Sequence, residues 1–106
     1  MDYQIQVEAS LAIIKGVLRL MSPYDYEEPF RDIQKGIISC TEEFTLDISK
    51  LNYLNSSGIT AFAKLIILAK SNKKKIKIIG SSQIPWQKTS MSCLDKLYHD
   101  IHMSWL

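Results

Sequence analysis

Two adjacent hydroxyls, Ser56 and Ser57, have the clearest chemical use in this chain. They follow Asn55 and precede Gly58, between an alternating run (Phe44, Leu46, Ile48) and a long apolar stretch that begins at Ile59. Asn is a preferred N-cap, so Ser56 and Ser57 become the first two residues of a helix. Free N–H groups and the positive end of the helix dipole lie there. A phosphoryl group adds about −1.5 to −2 charges, which that end stabilises. Modification would leave the fold intact and change the sign of the surface. Capping alone also accounts for all three side chains, so a switch and a plain cap both stand at this point.

The other reactive residue types form no convincing set. No histidine lies near the serine pair, and His99 and His102 come far downstream. With four glycines there is no phosphate-cradling loop of the Walker or Rossmann kind. Cys93, His99 and His102 could be imagined around a metal, but the segment reads as a strand and no fourth ligand follows. Glu27 and Glu28 are carboxylates at a helix start, stabilised there by the dipole. The expectation is therefore a protein that is not an enzyme and takes no cofactor and no metal.

Composition sets the frame. The chain has 106 residues, 46% of them hydrophobic and 23% charged, which suits one globular domain over 1–106. No apolar run reaches the roughly 18 residues of a membrane span. The N-terminus opens Met1-Asp2-Tyr3, unlike a signal peptide. Cys40 and Cys93, without a motif spacing, are expected as buried small hydrophobes in a reducing, cytoplasmic setting. The net charge of +2 hides an asymmetry. Residues 1–53 hold five Lys/Arg against nine Asp/Glu, and residues 54–106 hold eight Lys against two Asp. Much of that excess is Lys70, Lys73, Lys74, Lys75 and Lys77. Without arginine or interleaved aromatics, this cluster reads as a solvated loop guarding a strand edge, not a nucleic-acid site.

Strands and helices that could position the serines follow from periodicity. Tyr3, Ile5 and Val7 alternate as one face of a half-buried strand. Leu11 to Leu20 reads as a second strand, with a bulge expected at Gly16. Ser22-Pro23 starts a helical segment that Pro29 interrupts. Tyr26, Phe30, Ile33, Ile37 and Cys40 form its buried line. Glu43–Ile48 is a central strand, extended by Leu51–Leu54. A second helix is expected from about Asn55 to Ser71. Its wheel places Ile59, Phe62, Ala63, Ile66 and Ala69 inside, and Ser57, Ala61, Lys64, Leu68 and Ser71 outside. Leu68 is then the apolar point where a partner would touch. Lys75–Gly80 is a strand, Pro85 opens a third helix with Trp86, Thr89 and Cys93 in line, and Ile101, Met103 and Trp105 alternate as a last strand. The expected fold is α/β: a mostly parallel four-to-five-stranded sheet with an N-terminal hairpin and about three helices packed on it.

Residues 46–59, Leu-Asp-Ile-Ser-Lys-Leu-Asn-Tyr-Leu-Asn-Ser-Ser-Gly-Ile, resemble the signature of STAS domains of the anti-sigma-factor-antagonist type. There, a hydrophobic strand carrying an Asp leads to Asp-Ser-Ser/Thr-Gly-Leu. The likeness extends through the following helix, the strand Ile76–Gly80 and the loop and helix from Ser81. The family's acid before the serine is Asn55 here, which still caps a helix. The resemblance implies that Ser56 is the residue phosphorylated, with Ser57 the second candidate. It implies a partner serine kinase and anti-sigma factor of histidine-kinase-like ATPase fold, and a Ser/Thr phosphatase that reverses the modification. Divergent relatives also partner diguanylate cyclases. The partner face would comprise Asn55, Ser56, Ser57, Gly58, Ala61, Lys64 and Leu68. A constitutive interaction module of the same fold, and a nucleotide or small-ligand binder using the helix N-terminus, are the competing expectations.

Overall fold

In the computed structural model, which describes residues 2–106, five strands form one sheet in chain order. β1 (Tyr3–Glu8) and β2 (Leu11–Leu18) make an antiparallel hairpin. β3 (Glu43–Leu54), β4 (Lys75–Gly80) and β5 (Ile101–Trp105) then add parallel to β2, one after another. Helices α1 (Arg31–Ser39), α2 (Ser56–Ser71) and α3 (Pro85–Leu94) make the three crossovers. All crossovers advance in one direction, so right-handed connections bring all three helices to one face. This is the expected α/β architecture, with β3 at its centre.

The core lies between that face and the helices. Ala12, Ile14 and Leu18 of β2, Phe44, Leu46, Ile48 and Leu51 of β3, and Ile76 and Ile78 of β4 are buried against Ile33 and Ile37 of α1, Phe62, Leu65 and Ile66 of α2, and Met91 of α3. The opposite sheet face carries Thr45, Asp47, Lys77 and Ile79, all half-buried.

β3 changes phase along its length. Phe44, Leu46 and Ile48 are buried in alternation, and then Leu51 and Leu54 follow at steps of three. The pairing with β2 explains this. The step from Ile13 to Lys15 faces Asp47 to Lys50, and the step from Gly16 to Val17 faces Leu51 to Tyr53. The inserted residues therefore belong to β3, which corrects the expectation of a bulge in β2. Gly16 instead supplies a φ of +94°, in a place where a Cβ would collide with the Asp2 carbonyl. Bulges re-aim side chains, and these two carry Leu54 and the following turn onto the helical side.

Bulging frees main-chain groups that need other partners. Gln87, fully buried on α3, meets that need. Its Nε2 donates to the Ile48 carbonyl at 2.7 Å and the Leu51 carbonyl at 3.0 Å, while its Oε1 accepts from the Ser81 N–H at 2.7 Å. Sequence spacing puts Trp86, Thr89 and Cys93 in line on this helix. In the fold Gln87, Met91 and Leu94 point inward, Trp86 is half-buried, and Thr89 and Cys93 are exposed. Cys40 is buried as expected, but Cys93 is an exposed free thiol.

Candidate functional site

The end of β3 delivers the serine pair. Asn55 is extended (φ −82°, ψ 176°), and its Oδ1 accepts from the Gly58 N–H at 2.9 Å as the N-cap of α2. Its amide does more than cap. Oδ1 also accepts from the Tyr26 hydroxyl at 2.7 Å, and Nδ2 donates to the Leu20 carbonyl at 2.8 Å. The Leu20 N–H in turn donates to the Tyr26 hydroxyl oxygen at 3.2 Å. These bonds close a ring through Leu20, Tyr26 and Asn55. The ring ties the exit of β2, a short 3-10 turn (Pro23–Tyr26) and the start of α2 into one unit. Burial raises the Tyr26 hydroxyl above the ordinary phenol value, although the Leu20 bond pulls the other way. Tyr26 thus keeps its proton and remains a donor to Asn55.

The two serines are not equivalent. Ser56 is exposed, and among the described residues the side-chain hydrogen bond that reaches it is Thr60 Oγ1 to its carbonyl, with none at its hydroxyl. Ser57 is half-buried, and its Oγ donates a long bond of 3.4 Å to the Met21 carbonyl. Gly58 is buried; a Cβ there would meet Leu54 and lie 2.9 Å from the Tyr26 hydroxyl oxygen. The segments that lead to this point expose large side chains: Met21 at 92% and Tyr24 at 74% before and within the 3-10 turn, and Tyr53 at 47% near the end of β3. Trp86 flanks the same end of the sheet, its Nε1 donating to the Asn52 carbonyl at 2.8 Å.

The outward face of α2 differs from the one its wheel suggested. Ala61, expected outside, is only 4% exposed. The segment from Pro23 to Phe30 lies along this side, with the Phe30 and Phe62 rings 5.6 Å apart. A cleft of about 30 Å³ between them is lined by Pro23, Tyr26, Phe30 and Ala61 among others, with Lys64 at its exposed rim. Leu68 is half-buried and packs against the core. Ile59 and Ala63, expected inside, are half-buried, and Gly58 and Leu65 are buried in addition. Ser56, Thr60, Lys64, Ile67 and Ser71 form the exposed stripe. Its apolar member is Ile67, half exposed, and not Leu68. A wheel ranks faces by polarity alone, whereas here a second layer covers part of the polar side.

Sequence reasoning missed Leu20, Met21 and the Tyr26 hydroxyl. Helical spacing places Tyr26 in the core, and the one signal of its further role is a phenol at a buried position, which must find a partner. The basic loop is partly tied down: Lys74 Nζ donates to the Cys40 carbonyl, and Lys75 Nζ lies 3.3 Å from Glu42. Among the described residues, no group of three or more His, Cys, Asp or Glu side chains could hold a metal, and no helix is long and apolar enough to cross a membrane. The strand order never reverses, so the sheet lacks the crevice in which doubly wound folds bind nucleotides.

No protein-family model matches the chain, and no curated protein matches it either.

Proposed function

We propose that the chain is a cytoplasmic partner-binding regulator of the anti-sigma-factor-antagonist type, switched by phosphorylation of Ser56. The observation that carries this reading is the exposed Ser56 hydroxyl, which makes no side-chain hydrogen bond among the described residues, at the first position of a helix capped by Asn55. The α/β architecture and the run from Leu46 to Ile59 also support it. In the step, Ser56 Oγ gives up its proton and bonds to the γ-phosphorus of ATP, and ADP leaves. The donor is a serine kinase of histidine-kinase-like ATPase fold, which is also the client-holding partner. A Ser/Thr phosphatase returns the hydroxyl by hydrolysis. At the start of α2 the new charge is stabilised by the helix end, so the fold persists while the docking surface becomes anionic.

The test is affinity capture with the wild type, Ser56→Ala and Ser56→Asp, with mass spectrometry of partners and of Ser56. The expected outcome is phosphate on Ser56, a kinase held by the wild type and Ser56→Ala, and its loss from Ser56→Asp. Identical partners for all three proteins, with no phosphate on Ser56, would overturn the reading.

Ile67 on the exposed stripe favours a second reading, a constitutive interaction module that binds a signalling enzyme such as a diguanylate cyclase through α2. It requires partner capture to be lost in Ile67→Asp and retained in both Ser56 variants.

A further inference from the structure

The segment from Leu20 to Tyr24 crosses in front of the start of α2. It is held there by three side chains: Tyr26 accepts from the Leu20 N–H, Asn55 donates to the Leu20 carbonyl, and Ser57 donates to the Met21 carbonyl. The last main-chain bond from the sheet side is the Asn55 N–H to the Leu18 carbonyl at 3.2 Å. Beyond it the segment presents two large apolar side chains to water, Met21 almost entirely and Tyr24 for about three quarters of its surface. Leu20 packs half-buried against the core and Pro23 lines the cleft beside Ala61. The part between them, Met21 and Ser22, is held over α2 by the Ser57 bond. A stretch attached by so few bonds belongs to the low-stability end of a fold.

We propose that this segment is a displaceable latch and that Ser57 is its trigger. A serine kinase drawing on a nucleoside triphosphate would form the Oγ–P bond at Ser57 as the bond to the departing diphosphate breaks, with the hydroxyl proton passing to solvent. The ester oxygen and the phosphoryl oxygens of the dianion are acceptors only. They would face the Met21 carbonyl oxygen, itself an acceptor, so a hydrogen bond becomes a repulsion. The segment moves away, and with it Met21 and Tyr24. Ser56 has no bond to the segment, so modification there changes surface charge and leaves the latch closed. The two hydroxyls thus have different outputs, one electrostatic and one conformational. The modification step rests on the phosphorylation reading above; the latch does not.

Native-state amide exchange by NMR separates the two. The set is the wild type, Ser57→Glu, Ser57→Ala, Ser56→Glu and Tyr26→Phe. In Ser57→Glu and Tyr26→Phe the Leu20 amide is expected to exchange about twofold to tenfold faster, the range that one lost net hydrogen bond allows. Amides of β3 keep their wild-type protection, which distinguishes latch opening from general destabilisation. Ser57→Ala, with no charge, gives a smaller acceleration, and Ser56→Glu gives none. Unchanged Leu20 exchange in Ser57→Glu overturns the proposal, as does an equal acceleration in Ser56→Glu; Tyr26→Phe, which removes the acceptor of the Leu20 N–H, sets the size of the fully released signal. If Ser57→Glu fails to fold, Ser57→Ala decides: it loses the bond to the Met21 carbonyl, and unchanged Leu20 exchange in that variant overturns the latch. Because no kinase is involved, failure of the switch reading at Ser56 leaves this result standing.

Discussion

The Tyr26 hydroxyl donates to Asn55 Oδ1 across 2.7 Å, joining side chains 29 positions apart. Tyr26 sits in the crossover between β2 and β3, and Asn55 sits where β3 hands over to α2. The bond therefore fixes the approach to the serine pair from both sides.

Asn55 uses its amide as donor and as acceptor, so an acid is not equivalent there. Asn55→Asp keeps the cap and gains about 0.3–1 kcal/mol from the helix dipole. It loses the donor to Leu20 and sets a carboxylate against that carbonyl, at a cost of about 1–3 kcal/mol. Urea denaturation is expected to show a less stable protein. A midpoint equal to or above wild type would mean that the Leu20 bond contributes nothing.

Stability should fall at alkaline pH in a way that Tyr26 helps to set. Burial raises the Tyr26 pKa above 10.0, and burial followed by the charge of Asp100 does the same for Tyr98. The folded protein holds these protons more tightly than the unfolded chain. Their contribution is complete below about pH 10 and is lost as pH rises through the folded values. Denaturation midpoints from about pH 8 to about pH 11.5 should decline at the alkaline end, and less steeply for Tyr26→Phe. An identical slope in the variant would exclude Tyr26 as a contributor.

Gln87 is the polar residue whose loss should be felt most. Gln87→Leu keeps the volume roughly constant but leaves the Ile48 and Leu51 carbonyls and the Ser81 N–H without their partner. At about 1–3 kcal/mol for a buried unsatisfied group, a total loss of about 3 kcal/mol or more is expected on chemical unfolding. Gln83→Leu, at an exposed turn position, is the control and should change stability by less than about 0.5 kcal/mol. Equal effects of the two substitutions would contradict this assignment.

Gly58 stands where an alanine ought to favour helix by up to about 1 kcal/mol. The fold reverses that preference, because the added methyl meets Leu54 and the Tyr26 hydroxyl. Gly58→Ala is expected to destabilise by about 1–3 kcal/mol, the usual cost of overpacking. Thermal denaturation checks the sign, and a raised midpoint would show that Leu54 gives way freely.

By itself the sequence determined the order and type of the elements. Local signals carried that information: alternation in Tyr3–Val7 and Phe44–Ile48, the Ser22-Pro23 start, Asn55 as a cap, and Pro85 at the head of α3. It also located the serine pair at the start of a helix. Tertiary structure decided which faces remain free. Ala61 is covered because the Pro23–Phe30 segment lies over it, and Ile67, not Leu68, is the exposed apolar residue of α2. A single helix contains no record of what packs on its second side. Tertiary structure also decided the roles of Tyr26 and Gln87, whose partners come from distant parts of the chain. A hydrogen bond between such residues depends on the packing of whole elements, and no local spacing encodes it. The difference between Ser56 and Ser57 arises in the same way. The two hydroxyls are neighbours in sequence; burial and the Met21 carbonyl, 36 residues from Ser57, tell them apart.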